Sequence, residues 1–165
     1  MTMSLHSIKS YTLGLFLSIG SVTSQAAQLP PLDFKTLEGD PITLDAYQGE
    51  VRLINFWATW CPPCIREMPA LGRLEEAVEG HARVVAINVG DMSDQVEAFV
   101  LENFDGAEPE IWLDEPGAAF MTLRLEGLPM TLVLDKEGEV IDKVIGEREW
   151  DSESVVNYLK ELAAE

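Results

Sequence analysis

Ten residues, Asn55-Phe56-Trp57-Ala58-Thr59-Trp60-Cys61-Pro62-Pro63-Cys64, constrain this chain more than any others. They read as a buried apolar strand that ends directly in a Cys-Pro-Pro-Cys turn, and the turn opens a helix. The strand, Val51 to Trp57, is nearly continuous in apolar residues, as a central parallel strand covered on both faces must be. Both cysteines of the protein lie in the turn, so any cysteine chemistry occurs here. A thiol at a helix N-terminus faces unpaired backbone N–H groups and the positive end of the helix dipole. That setting favours the thiolate, the nucleophilic form. Two intervening residues hold the sulfurs close enough to join and part again, so the chemistry implied is thiol–disulfide exchange.

Two plainer uses of the pair compete with that reading. A structural staple gains stability by closing a long loop in the unfolded chain, and a four-residue loop gives only about 2 kcal/mol in the chain-entropy picture. Half of a zinc site would need four ligands. His81 is the only histidine outside the N-terminal leader, so one chain cannot supply them. No metal and no cofactor is expected.

The length, 165 residues, suits one domain able to bury a core without several disulfides. A charge of −18 repels phosphate backbones and anionic lipid, which argues against nucleic acid and membrane surfaces and favours basic protein partners. Simple solubility explains the charge equally well. Met1 to Ser10 is polar with Lys9, Tyr11 to Val22 is apolar, and Ser24-Gln25-Ala26 fits a small-x-small cleavage site. Residues 1–26 therefore read as a secretory signal peptide, with the working domain over 27–165. The apolar run is short of the roughly 20 residues that span a bilayer, so an uncleaved anchor is the lesser alternative. Export, to the periplasm, means an oxidising compartment, where other redox proteins must maintain a lone reactive pair.

Along the rest of the chain, Asp33 to Leu37 and Pro41 to Leu44 flank a Glu38-Gly39-Asp40 turn and read as a hairpin. A helix from Pro62 to about Glu79 places Ile65, Met68, Leu71, Leu74 and Val78 on one face, with a kink expected at Pro69 and a stop at Gly80. Arg83 to Val89 is the next strand, and Ser93 is the expected N-cap of a helix to Asn103. Ile111 to Leu113 is a short strand, followed by a helical segment around Gly117 to Leu123. Met130 to Leu134 and Glu139 to Ile145 pair across Asp135-Lys136-Glu137-Gly138. Asp151 or Ser152 caps a last helix that turns Val155, Val156, Leu159 and Leu162 to the core. The order is α/β with a mixed sheet.

The motif, with Glu67 and Pro69, resembles the thioredoxin superfamily, most closely its exported TlpA/ResA branch. Gly127-Leu128-Pro129-Met130-Thr131 resembles that family's cis-proline loop, and Gly146-Glu147-Arg148-Glu149-Trp150 the tail of its sheet. The resemblance runs from about Leu32 to the C-terminus. It implies a thioredoxin-like three-layer fold with a central mixed sheet and the N-terminal hairpin as an extension.

It also implies roles. Cys61, at the exposed helix start, attacks; Cys64, one turn in, resolves the mixed disulfide. Pro62 and Pro63 stiffen the turn and have no N–H to donate to the sulfur. Thioredoxins usually carry an aspartate where this chain has Asn55, which cannot titrate, so Glu67 is the expected acceptor of the Cys64 proton. Its plainer role is a solvated acid near a helix N-terminus. A cis bond before Pro129 would offer the Leu128 and Met130 backbone to a client strand, with Trp60 bordering the site. Trp57, Trp112 and Trp150 read as core or sheet-edge residues.

The resulting expectation is an exported monomer that reduces disulfides in client proteins and is itself reduced by a membrane thiol reductase. The resemblance implies apocytochrome c or the copper-site cysteines of respiratory oxidases as clients. A peroxiredoxin places Thr or Ser three residues before its cysteine, where this chain has Ala58. A copper-handling module using the pair as soft ligands is the non-enzymatic alternative.

Overall fold

A computed structural model describes residues 29–165 except 105 and 107. The signal peptide expected over 1–26 lies outside the described residues. Seven strands form one sheet: β1 (Asp33–Thr36), β2 (Pro41–Thr43), β3 (Val51–Trp57), β4 (Ala82–Val89), β5 (Glu110–Asp114), β6 (Met130–Leu134) and β7 (Val140–Ile145). The helices are α1 (Pro62–Val78), α2 (Ser93–Asn103), α3 (Ala118–Thr122) and α4 (Glu153–Ala164). A 3₁₀ turn at Leu44–Tyr47, not expected from the sequence, follows the hairpin.

The strand order is β2-β1-β5-β4-β3-β6-β7. Strands β3, β4 and β5 run parallel, while on the far side of β3 the strand β6 runs antiparallel to it and β7 antiparallel to β6. The hairpin β1–β2 extends the sheet by antiparallel pairing of Lys35 and Thr36 with Leu113 and Trp112. All seven residues of β3 are buried, as its composition requires. One of them is Arg52, whose guanidinium donates to the Leu44 and Asp135 carbonyls at 2.6 and 3.2 Å and so ties the 3₁₀ turn after the hairpin to the β6–β7 turn. That turn needs Gly138: its φ is +84°, and a Cβ there would lie 3.1 Å from the Arg52 guanidinium.

Connection and layer are linked. Helices α1 and α2 cross between neighbouring parallel strands, and their apolar residues share one core with Val155 and Leu159 of α4. To reach β6 the chain must then pass back over β4 and β3. It does so on the other face, where Ala119 of α3 packs with Ile54, Phe56, Ile87 and Trp112. The thioredoxin-like three-layer arrangement follows. Direction reverses beside β3, and crevices at such switch points, outside the carboxyl ends of parallel strands, are where sites form.

Local expectations need two adjustments. Met92, not Ser93, occupies the N-cap of α2, and its N–H is held by the Gln95 side chain at 3.3 Å. As expected, α1 runs through Pro69 to Val78, and Gly80, at φ +75°, terminates it. Ile65 is only half-buried; the face of α1 against the sheet includes Cys64 and Glu67 instead.

Candidate active site

The turn after β3 delivers Cys61 to the N-cap of α1, with Pro62 and Pro63 as the first helical residues, where a missing N–H costs nothing. The Cys61 N–H donates to the Ala58 carbonyl at 3.1 Å, and its own carbonyl accepts from Ile65 at 3.2 Å. Asp91, from the loop after β4, accepts the Thr59 N–H at 2.8 Å and the Asn88 amide at 2.9 Å. The neighbouring strand thereby pins the turn. Cys61 and Cys64 form a disulfide with Cα atoms 5.3 Å apart.

Cys61 is not exposed in this oxidised form. It is 4% accessible against 0% for Cys64, because the turn folds onto the core that holds both sulfurs. Trp60 is 64% exposed at the rim. The Leu128–Pro129 bond is cis, and half-buried Leu128 packs against the cluster containing the cysteines. Met130 lies inside the sheet, paired between Phe56 and Ile145 and 1% exposed, so its side chain is core. The Pro129 carbonyl is already taken by the Gly146 N–H at 2.9 Å.

Glu67, one turn beyond Cys64, is 2% exposed and not a solvated surface acid. Its Oε1 accepts from the Asn55 amide at 2.8 Å. Its Oε2 accepts from the Trp150 indole N–H at 2.8 Å and the Arg148 N–H at 3.2 Å. Burial pushes its carboxyl above the usual range, and these three donors, which favour the ionised form, only partly offset that. Asn55 also donates to the Thr131 hydroxyl at 3.0 Å, directly across the β3–β6 pair. Trp150 is buried, as expected, yet its indole N–H is part of the site. The signal that could have found it is the rule that a buried indole seeks an acceptor.

The geometry therefore offers a two-cysteine redox centre at a helix start, backed by a buried carboxyl of raised pKa. The AhpC/TSA family profile matches residues 26–148. The chain belongs to the AhpC/TSA family. The thioredoxin-like protein YneN of Bacillus subtilis is 35% identical over 125 residues, spanning 74% of this chain and 72% of that protein. The thiol-disulfide oxidoreductase ResA of Bacillus anthracis is 32% identical over 127 residues, 76% of this chain and 71% of that protein. A solved structure assigned to thiol:disulfide interchange protein DsbE of Chlorobium tepidum superposes with a TM-score of 0.74 at 22% identity, covering 85% of this chain and 98% of that one. This AhpC/TSA-family protein is a thiol–disulfide oxidoreductase with a thioredoxin-like fold. It has no hydroxyl three residues before Cys61, since that position is the buried Ala58.

Proposed function

We propose that the protein is exported and uses its dithiol to reduce disulfides in client proteins. Cys61 attacks a client disulfide, one client sulfur leaves as thiolate, and a mixed disulfide forms. Cys64 then gives its proton to Glu67 and attacks the Cys61 sulfur. The Cys61–Cys64 bond closes, the second client thiolate departs, and the client has gained two electrons. A membrane thiol reductase returns the pair to the dithiol form. Maturation of cytochrome c or of respiratory oxidases is the client setting that the resemblance to the TlpA/ResA branch implies.

The observation that carries this reading is the buried Glu67 carboxyl, one helical turn from Cys64 and raised in pKa by its burial. A carboxyl whose pKa is raised by burial is better suited to take a proton than an ordinary surface acid. The reducing direction is supported by Pro62 and Pro63, which have no N–H to stabilise a Cys61 thiolate. The export reading rests on residues 1–26, and no helix among the described residues is long and apolar enough to cross a membrane.

The test is trapping. Cys64→Ser should accumulate mixed disulfides through Cys61 when expressed with its leader, and Cys61→Ser should accumulate none. Adduct formation through Cys64 instead would reverse the assignment.

A further inference from the structure

The buried amide of Asn55 has an unusual balance. Its nitrogen donates twice, to Glu67 Oε1 and to the Thr131 hydroxyl, while its Oδ1 is buried with no hydrogen-bond partner among the described residues. Asn55 is fully buried, so bulk water does not reach it. An orphaned carbonyl in such a place calls for a reason.

The surroundings of Glu67 supply one. Its Oε2 faces two donors that cannot become acceptors, the Trp150 indole N–H and the Arg148 backbone N–H. A proton arriving on the carboxyl must therefore sit on Oε1. There it meets the Asn55 amide nitrogen, donor against donor. Rotation of the amide by half a turn removes that conflict: Oδ1 comes to Oε1 and accepts the new O–H, while the amide N–H groups turn to the side where Oδ1 stood without a partner. The Thr131 hydroxyl follows without loss, because a hydroxyl accepts from a nitrogen or donates to an oxygen by turning its own hydrogen.

We propose that Asn55 is a positioning residue whose side-chain amide turns over with the charge state of Glu67, presenting nitrogen to the carboxylate and oxygen to the carboxylic acid. This deepens the reading of Glu67 as acceptor of the Cys64 proton and rests on it for its place in the exchange cycle. An aspartate at this position, ionised, would accept but never donate, and would hold Glu67 in one state by like-charge repulsion. An apolar residue would serve neither state. An amide serves both, so the site can hold the carboxylate before the resolving step and the acid after it. The other charged groups facing Glu67 come from the β7–α4 segment, where Glu147 is paired with Arg66 of α1 at 2.6 Å and Arg148 lies over the Trp150 ring. The opposing elements β3 and β6 contribute only Asn55 and the neutral Thr131. The turn of the amide then also reaches Thr131, two residues after Pro129 in the strand that closes the site.

The experiment uses the full exported chain in the disulfide form. The ¹³C shift of the Glu67 carboxyl locates its titration midpoint, and neutron diffraction about one pH unit either side places the Asn55 oxygen and nitrogen. Nitrogen toward Oε1 on the alkaline side and oxygen toward it on the acid side is the expected result. Nitrogen toward Oε1 on both sides overturns the proposal. So does a Glu67 carboxyl that shows no midpoint between about pH 4 and about pH 10, where carboxyls and thiols titrate. A turning amide in a protein whose Glu67→Gln variant exchanges at the parent rate would leave this inference intact and remove the proton-acceptor reading. A fixed amide with a slowed Glu67→Gln variant would do the converse.

Discussion

Glu67 shows how a single residue takes its chemistry from its neighbours. Three residues past Cys64 on an isolated helix it would be an ordinary acid; burial against β3 raises its pKa, and the donors from Asn55, Arg148 and Trp150 restrain the rise. Glu67→Gln should slow exchange without unfolding the protein, since an amide fills the same space and can still accept from Trp150. An unchanged rate between about pH 6 and about pH 9, the range where thiols titrate, would make Glu67 structural only. Trp150→Phe removes a hydrogen bond to the ionised form and should move the Glu67 pKa further up. A folded-state pKa raised above the unfolded value contributes stability below the unfolded pKa and loses it as pH rises. The variant should therefore lose about 1.5–3 kcal/mol at alkaline pH and less under acid conditions, read as urea midpoints. A uniform loss at all pH values would mean the indole acts by packing alone. On the proposed function, Pro62 and Pro63, which have no N–H to offer a Cys61 thiolate, favour the reducing direction. Without a donor to the thiolate, the potential should lie near about −270 mV and far from about −120 mV, by equilibration with dithiol buffers.

At the scale of elements, two carboxylates from strand-end loops hold parts that cannot hold themselves. α3 has five residues, too few to be stable alone. Asp114, at the end of β5 and 1% exposed, accepts the Ala118 and Ala119 N–H groups at 2.9 and 2.7 Å. Asp114→Ala should cost about 1–2 kcal/mol in denaturant unfolding, the usual range for losing a helix cap. A cost near zero would show that packing of Ala119 suffices. Asp91 does the same for the turn before Cys61 through the Thr59 N–H. Elements of this kind explain the uneven success of local reading. β3 was recognisable because seven successive buried positions leave no other assignment, whereas the N-cap of α2 passed to Met92 because the Gln95 side chain reaches back to that N–H.

For the whole molecule, acidity and pH are the governing variables. The chain carries −18 throughout, and its acids are not confined to the site. At the end of the sheet away from the cysteines, Glu75 of α1 is half-buried near Glu110 and accepts the Val84 N–H at 3.2 Å. Burial, with Glu110 adding to it, pushes its pKa from 4.5 up to about 7. Because that shift is upward, its contribution is fully present below pH 4.5 and is lost as pH rises through about 7. The acids Glu115 and Glu147, held below the usual range by hydrogen bonds from Lys35 and Arg66, act in the opposite sense at lower pH. Thermal midpoints should fall from about pH 4.5 to about pH 7, and Glu75→Gln should flatten that slope. An unchanged slope in the variant would place its origin in the overall charge, which added salt would screen beyond about 8–10 Å.

The sequence by itself determined the strand–turn–helix around Cys61 and Cys64, the α/β order, the hairpins and the exchange chemistry. Each of these depends on residues close together in the chain: apolar runs, helical spacing, glycine and proline at turns, and two cysteines separated by two residues. Only the tertiary structure decided how covered Cys61 is, that Met130 belongs to the core, and that Trp150 shares Glu67 with Asn55. Those outcomes join residues up to 83 positions apart, as in the Glu67–Trp150 hydrogen bond. No local pattern encodes such a contact. It exists because the chain crosses to the second face after β5, returns beside β3, and brings the end of β7 over the first turns of α1.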